Sequence, residues 1–305
     1  MLKEKRITNW RDYNKALIAR GNIQLWFSEG AIKRWNNTQH HGGKGRANHF
    51  SELAIETCLT LRAVFRLSLR AAQGFISSLI SMMKLDLDTP TYSCLCKRSA
   101  ELAVHYRPNS STSGGIDIVV DSTGLKVYGN GEWHARKHGA NKRRTWRKLH
   151  LAVDANTHQI VGAELSTITV ADSEVLGDLL RPLRRKVSSV KADGAYDTRG
   201  CYAEVAAKKA DAVIPPRCNA QLWEDGHARN SAVILTKHIG SSEWKKCVNY
   251  HQRSLAETAM YRYKQLMGDK LVSRGFNQQH TEAMIKVKVL NRMTGLGMPE
   301  YQGNS

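Results

Sequence analysis

Three acidic residues and a short set of partners carry the chemistry that this sequence offers. Asp121 closes the apolar run IDIVVD (116–121), Asp193 closes SSVKAD (188–193) just before Gly194, and Glu257 lies in a long helical stretch. At 100° per residue, Tyr250, Arg253, Glu257 and Lys264 share a stripe about 60° wide, with Val248, Leu255, Ala259 and Leu266 almost opposite. One face can therefore pack while the other presents an acid among cations and a phenol. Carboxylates held on rigid elements are the ligands that hard cations such as Mg²⁺ take. Plainer readings exist: Asp often ends strands and starts turns, and Arg253 with Glu257 could be a surface i,i+4 pair. Arg before Glu is, however, the weaker orientation of such a pair.

Other acids have simpler duties. Asp117 would share a strand face with Asp121 but stands about 13 Å away by strand rise. Asp154 closes LHLAVD directly before a turn, Asp172 is placed to cap a helix, and Asp197 to cap the helix starting at 198.

The elements that must position the three acids follow from pattern. Residues 1–35 read as helical, 36–48 as a polar loop, and 50–83 return to helical periodicity. Thr89 before Pro90 reads as an N-cap with proline at the first helical position. With the preceding helix this resembles a helix-turn-helix, with 90–105 as the second helix. RPNSSTSGG (107–115) is a linker. Strands are expected at 116–121, 124–129, 149–154, 159–166, 188–193 and 211–215, helices at 172–183 and 198–209, and one long helix from about Ser242 to Met267. Strands first, then helix and strand in alternation, imply an α/β domain with a mixed sheet flanked by helices.

Charge supplies the partner class. The 305 residues hold 46 Lys+Arg against 27 Asp+Glu, a net +19, which favours a polyanion, most commonly nucleic acid. No apolar run is long enough to span a membrane and the first residues are polar, so a cytoplasmic protein with no membrane role is expected. The six cysteines are scattered, and Cys94-Leu-Cys96 lacks metal-site spacing. Between 133 and 150, Trp133, Arg136, Lys137, His138, Arg143, Arg144, Trp146, Arg147 and Lys148 interleave cations with indoles. That mixture suits phosphates and unpaired or distorted bases.

The helix spacing Tyr250-x2-Arg253-x3-Glu257-x6-Lys264, with Asp121 in VVDSTG and Asp193 in KADGAYD, resembles the bacterial insertion-sequence transposases of the DDE class, specifically the insertion-sequence-five family. NWRDYNKAL, LRAVFRLSLRAAQGF and WHARKHGANKRRTWRKLHLAVD extend the resemblance over nearly the whole chain. It implies an all-helical DNA-binding region (1–106), the linker, and an RNase H-like catalytic domain (116–305). The implied activity is cleavage of DNA at terminal inverted repeats and joining of the exposed 3′-OH ends to target DNA. Asp121, Asp193 and Glu257 would hold two Mg²⁺ ions, with Mn²⁺ able to substitute. Such phosphoryl transfers need charge neutralisation and oxygen activation more than covalent help. Tyr250, Arg253 and Lys264 would contact DNA near the scissile phosphate. The expected partners are double-stranded DNA and further copies of the chain, as a homodimer or larger synaptic complex associated with a bacterial nucleoid. The alternatives are a non-catalytic DNA-binding repressor or domesticated copy, and a metal-dependent nuclease that does not join strands.

Neutralising several of Arg143, Arg144, Arg147 and Lys148 should weaken DNA binding and flatten its salt dependence, by about one unit of log–log slope per lost phosphate contact. An unchanged slope in a filter-binding titration would mark the stretch as a solvated loop.

Overall fold

The computed structural model describes residues 6–38, 48–108, 114–127 and 146–302. They divide into two compact units, one formed by Met1–Tyr106 with Gly275–Ser305, the other by Arg107–Arg274.

The first unit is helical among its described residues. Short helices α1 (Trp10–Ala19), α2 (Ile23–Trp26) and α3 (Glu29–Lys33) are separated by caps: the Asn22 side chain accepts from Gln24 N and that of Ser28 from Ala31 N. The expected helical stretch 50–83 is two helices, α4 (Glu52–Val64) and α5 (Leu69–Met82). Arg66 takes a left-handed φ of 52° and Ser68 starts the second helix as a new N-cap. Helix α6 (Tyr92–Arg98) is shorter than the sequence suggests, seven residues rather than 90–105. Its cap is Thr91, whose hydroxyl accepts from Cys94 N at 3.2 Å, so the Thr89-Pro90 pair precedes the helix instead of opening it.

The sequence reading placed 116–305 in one catalytic domain. The structure instead joins 275–305 to the helical unit. The C-terminal helix (Phe276–Leu296) packs against α4, where Lys288 pairs with Glu56, and Asn291 donates to the Tyr106 carbonyl at 3.0 Å. An antiparallel bridge between Ile7 and Tyr301 ties the two chain ends.

The second unit is built on a sheet ordered β3-β2-β1-β4-β5. Strand β1 (Ile116–Val127) lies at its centre, antiparallel to β2 (Trp146–Asp154), which is antiparallel to β3 (Ile160–Thr167). Helix α7 (Asp172–Leu180) leads to β4 (Val187–Lys191), parallel to β1. Helix α8 (Arg199–Ala207) leads to β5 (Asp211–Val213), parallel to β4. Then come α9 (Ala228–Cys247), broken at Gly240 where φ is 83°, a 3-10 turn (Tyr250–Arg253), and α10 (Ser254–Met267). Strand β6 (Lys270–Leu271) pairs with the far end of β1. The chain then leaves this unit for α11 (Phe276–Leu296).

Alternation along β1 sorts its residues by face. Ile116, Ile118 and Val120 join Val175, Leu176, Leu179 and Leu180 of α7 and Tyr202 and Val205 of α8 in one buried core. Helix α10 packs against β1 and β2, burying Ala256, Ala259, Met260 and Tyr263. The result is a mixed sheet flanked by helices. No helix among the described residues is long and apolar enough to cross a membrane.

Residues 107–274 expressed alone should melt in one cooperative far-UV circular dichroism transition. Residues 1–106 alone, lacking α11 over α4, should not, and should regain a transition when 275–305 is supplied.

Candidate functional site

Asp121 does not end its strand. The ladder with β2 continues past it through Ser122 opposite His150, Thr123 opposite Leu149 and Gly124 opposite Lys148, so β1 is a single strand where the sequence suggested two. On its other side β1 is paired with β4 only as far as Val119, and β6 takes over at Lys126. Among the described residues Asp121 has no strand neighbour on that side, and the turn Tyr250–Arg253 packs against β1 and β4.

The long helix expected from Ser242 to Met267 is also interrupted. Asn249 adopts a left-handed conformation (φ 55°, ψ 37°), and Tyr250 and Arg253 sit on the 3-10 turn ahead of α10. Asn tolerates this region better than most residues. The break places Arg253 at the mouth of the interval. Its Nη1 donates to Asp121 Oδ2 at 2.8 Å and its Nη2 to Glu257 Oε1, so one guanidinium bridges two of the three acids. Asp121 also accepts from its neighbour Ser122 N at 2.8 Å. Asp193 follows β4 and caps the short turn Gly194–Tyr196, accepting from Ala195 N at 2.9 Å.

Burial pushes the Asp121 carboxyl above its ordinary pKa; the Ser122 amide and Arg253 oppose the rise and Asp193 adds to it. Burial works against the charge of Arg253 too, but Asp121, Tyr250, Glu257 and Asp193 outweigh it and hold its pKa high. The Tyr250 phenol is raised by burial, against Arg253, with further push from Asp193, Asp121 and Glu257. Its ring lies 6.3 Å from Trp244 and 5.5 Å from Lys245 Nζ. Lys264 stands in the last turn of α10, about 10 Å along the axis from Glu257.

Nearby polar residues that the sequence did not single out fix the acids' supports. Lys191, buried at the end of β4, donates to Gln252 Oε1 at 2.8 Å and to Ser189 Oγ at 3.3 Å, and Ser189 donates to Asp117 at 2.5 Å. The strand leading to Asp193 is thereby tied to the turn carrying Arg253. On the opposite face of β1, Ser122 Oγ donates to Asp172 Oδ2 at 2.9 Å, and Lys148 reaches Asp172 Oδ1 at 3.0 Å and the Val170 carbonyl at 2.9 Å. The buried Tyr196 hydroxyl has no hydrogen-bond partner among the described residues, and burial with Asp172, Asp121 and Asp193 nearby drives its pKa up.

The basic stretch fares unevenly. Trp133, Arg136, Lys137, His138, Arg143 and Arg144 lie outside the described residues. Trp146 and Arg147 open β2; the Trp146 ring lies over Gly124, where a Cβ would come 3.2 Å from it. Lys148 is turned inward to Asp172 rather than outward toward a phosphate, because its side chain leaves β2 on the α7 face. His150 is fully buried, with Nε2 2.8 Å from Ser166 Oγ, and burial depresses its pKa. Two expected caps also differ: Asp172 is the first residue of α7, and the cap of α8 is Thr198. Asp197 instead forms a buried pair with Arg229, at 2.5 and 2.8 Å.

Three carboxylates without thiol or imidazole suit a hard divalent cation in kind. As they stand, however, no group of three His, Cys, Asp or Glu among the described residues is gathered closely enough to hold a metal. A guanidinium occupies the position between Asp121 and Glu257.

A family model described as a transposase DDE domain matches residues 112–292, more than half of the chain. This chain belongs to the transposase DDE family. A second model of the same description matches residues 18–130. DDE transposase domains are generally dependent on divalent metal, which agrees with the donor set. Among solved structures, a cryo-EM structure of a piggyBac transposase synaptic complex with hairpin DNA is similar at 11% identity. The match covers 91% of this chain and 73% of that one, with a TM-score of 0.37, too low to add to the family assignment.

Within this DDE domain the Asp197–Arg229 pair is structural. Arg229→Met should cost about 3–5 kcal/mol in urea unfolding by leaving a buried carboxylate unpaired, and Asp197→Leu in the same chain should recover much of the loss.

Proposed function

We propose that this transposase belongs to the insertion-sequence-five type, binds the terminal inverted repeats of its element, cleaves there to expose 3′-OH ends, and joins them to target DNA. Its helical region recognises the repeats, and its α/β unit is an RNase H-like catalytic domain. The observation that carries the reading is one guanidinium shared by two acids distant in the sequence, with a third acid near enough to act on the first electrostatically. Asp121 on β1 and Glu257 on α10 share Arg253, and Asp193, beyond β4, is close enough to raise the Asp121 pKa. The strand order, with an antiparallel β3-β2-β1 half continued by parallel β4 and β5, supports the RNase H-like reading.

In this mechanism Asp121, Asp193 and Glu257 would hold Mg²⁺, as two ions, with Mn²⁺ substituting. Held there, such ions would supply charge neutralisation at the phosphate and activation of the attacking and leaving oxygens. The protein's part is placement. β1 holds Asp121 on a backbone fixed by β2, Lys191 and Gln252 hold the turn of Arg253 against β4, and Glu257 is presented from the first turn of α10. Arg253, Lys264 and Tyr250 face the DNA backbone near the scissile phosphate, and Trp146 and Arg147 extend the basic surface along β2. Pairing two element ends calls for a homodimer or larger assembly. A repressor without catalysis would have no use for all three acids.

The test is incubation of a labelled end fragment and a target plasmid with Mg²⁺, reading cleavage to the nucleotide and joining on the plasmid. Asp121→Asn, Asp193→Asn and Glu257→Gln should each bind the end fragment like the parent yet drop cleavage and joining to background, and pairs of changes should cost little more than one. Asp154→Asn should stay active, because Asp154 serves its turn by accepting from Asn156 N. Near-normal cleavage by Glu257→Gln would refute the three-carboxylate mechanism, and cleavage without joining would leave a nuclease.

A further inference from the structure

We propose that Arg253 competes with the catalytic cation for its ligands: its guanidinium bridges Asp121 and Glu257, and must release at least one of them before the acids can bind divalent metal. This rests on the reading of Asp121, Asp193 and Glu257 as the metal site.

The geometry is that of a bridge rather than of two independent ion pairs. Different nitrogens of one guanidinium serve different carboxylates, Nη1 for Asp121 and Nη2 for Glu257. The planar fork presents a separate nitrogen to each acceptor, whereas an ammonium must serve both from one point. The acids it holds come from a strand and a helix, so the bridge also fixes how α10 presents Glu257 to β1. Arg253 balances the charge that would otherwise accumulate where Asp121, Asp193 and Glu257 approach one another. A guanidinium is not deprotonated in proteins, so it can vacate the site only by moving.

Movement is available to the side chain and not to its backbone. The turn is anchored one residue earlier, where Gln252 accepts from buried Lys191. The Arg253 side chain is 21% exposed and Glu257 54%, so the outer half of the bridge faces solvent. Away from the acids, the same fork is suited to a phosphate, which it can bind through two parallel hydrogen bonds. A DNA phosphate at the mouth of the site would therefore draw Arg253 outward and free Asp121 and Glu257 together. Metal and DNA would then favour each other's binding through one side chain, and such coupling is reciprocal. The acids would be available for metal chiefly when a substrate phosphate is present.

The test is binding of Mn²⁺ alone to the full chain without DNA, followed by loss of the free-ion electron paramagnetic resonance signal. Arg253→Gln should bind Mn²⁺ about tenfold more tightly than the parent, within the usual range of coupling between sites. Arg253→Lys, which keeps the charge but must serve both carboxylates from a single nitrogen, should fall between them and serves if the Gln variant folds poorly. Asp121→Asn should abolish the binding in every background. Equal or weaker Mn²⁺ binding by both Arg253 variants, with the Asp121 dependence intact, would overturn the competing role and leave the metal site standing. Mn²⁺ binding that is absent throughout, or indifferent to Asp121, would overturn both.

Discussion

The site depends on a missing strand neighbour. β1 is paired with β2 over most of its length, but on the other side β4 departs after Val119 and β6 arrives only at Lys126. A strand interior is normally no place for a carboxylate, since burial penalises charge. Here the interval gives Asp121 a backbone held rigidly by one ladder and a side chain open to the turn and helix that pack beside it. The same departure of β4 puts Asp193 just past the end of that strand, within electrostatic reach of Asp121. Closing the ladder from Val119 to Lys126 would remove both the opening and the reason for the turn Tyr250–Arg253 to be there.

Much of this was legible in the residues, and the failures have a common cause. Period-two and helical patterns located β2, β3, β4, α7 and α8 to within a few residues, because each of those segments buries one face and the pattern records it. The pairing of Arg253 with Glu257 was legible in their i,i+4 spacing, but nothing in that spacing said that the same guanidinium would reach Asp121. What pattern cannot record is the partner. IDIVVDSTGLKV looks like two strands around a turn, because Asp, Ser, Thr and Gly are turn residues. It is one strand because β2 supplies a continuous ladder opposite. The break at Asn249 is a single left-handed residue inside good helical sequence. Helix α11 carries an ample buried face, but nothing in its own residues says that α4, rather than the sheet, will cover it. Lys148 belongs by composition to the basic stretch and by strand alternation to the interior.

Three carboxylate–cation arrangements in the α/β unit show what distinguishes a fixed pair from an exchangeable one. Asp197 and Arg229 are 1% and 5% exposed, and Arg229 is held further by the Gln221 carbonyl. Separating them would strand a charge in the interior, so the pair behaves as part of the core. Asp172 and Lys148 are about a quarter exposed. Their cation comes from the strand next to β1, where the register sets Lys148 opposite Gly124, and the Val170 carbonyl holds the same ammonium at 2.9 Å. Arg253 differs on both counts. It comes from a turn rather than a ladder, and of its two acids Glu257 is more than half exposed. Its attraction to them is screened on the outer side, where a phosphate can compete. β1 thus has an acid on each face, Asp121 directly and Asp172 through Ser122. Of the two, Asp121 is the one whose cation comes from a turn outside the sheet and is shared with a half-exposed acid.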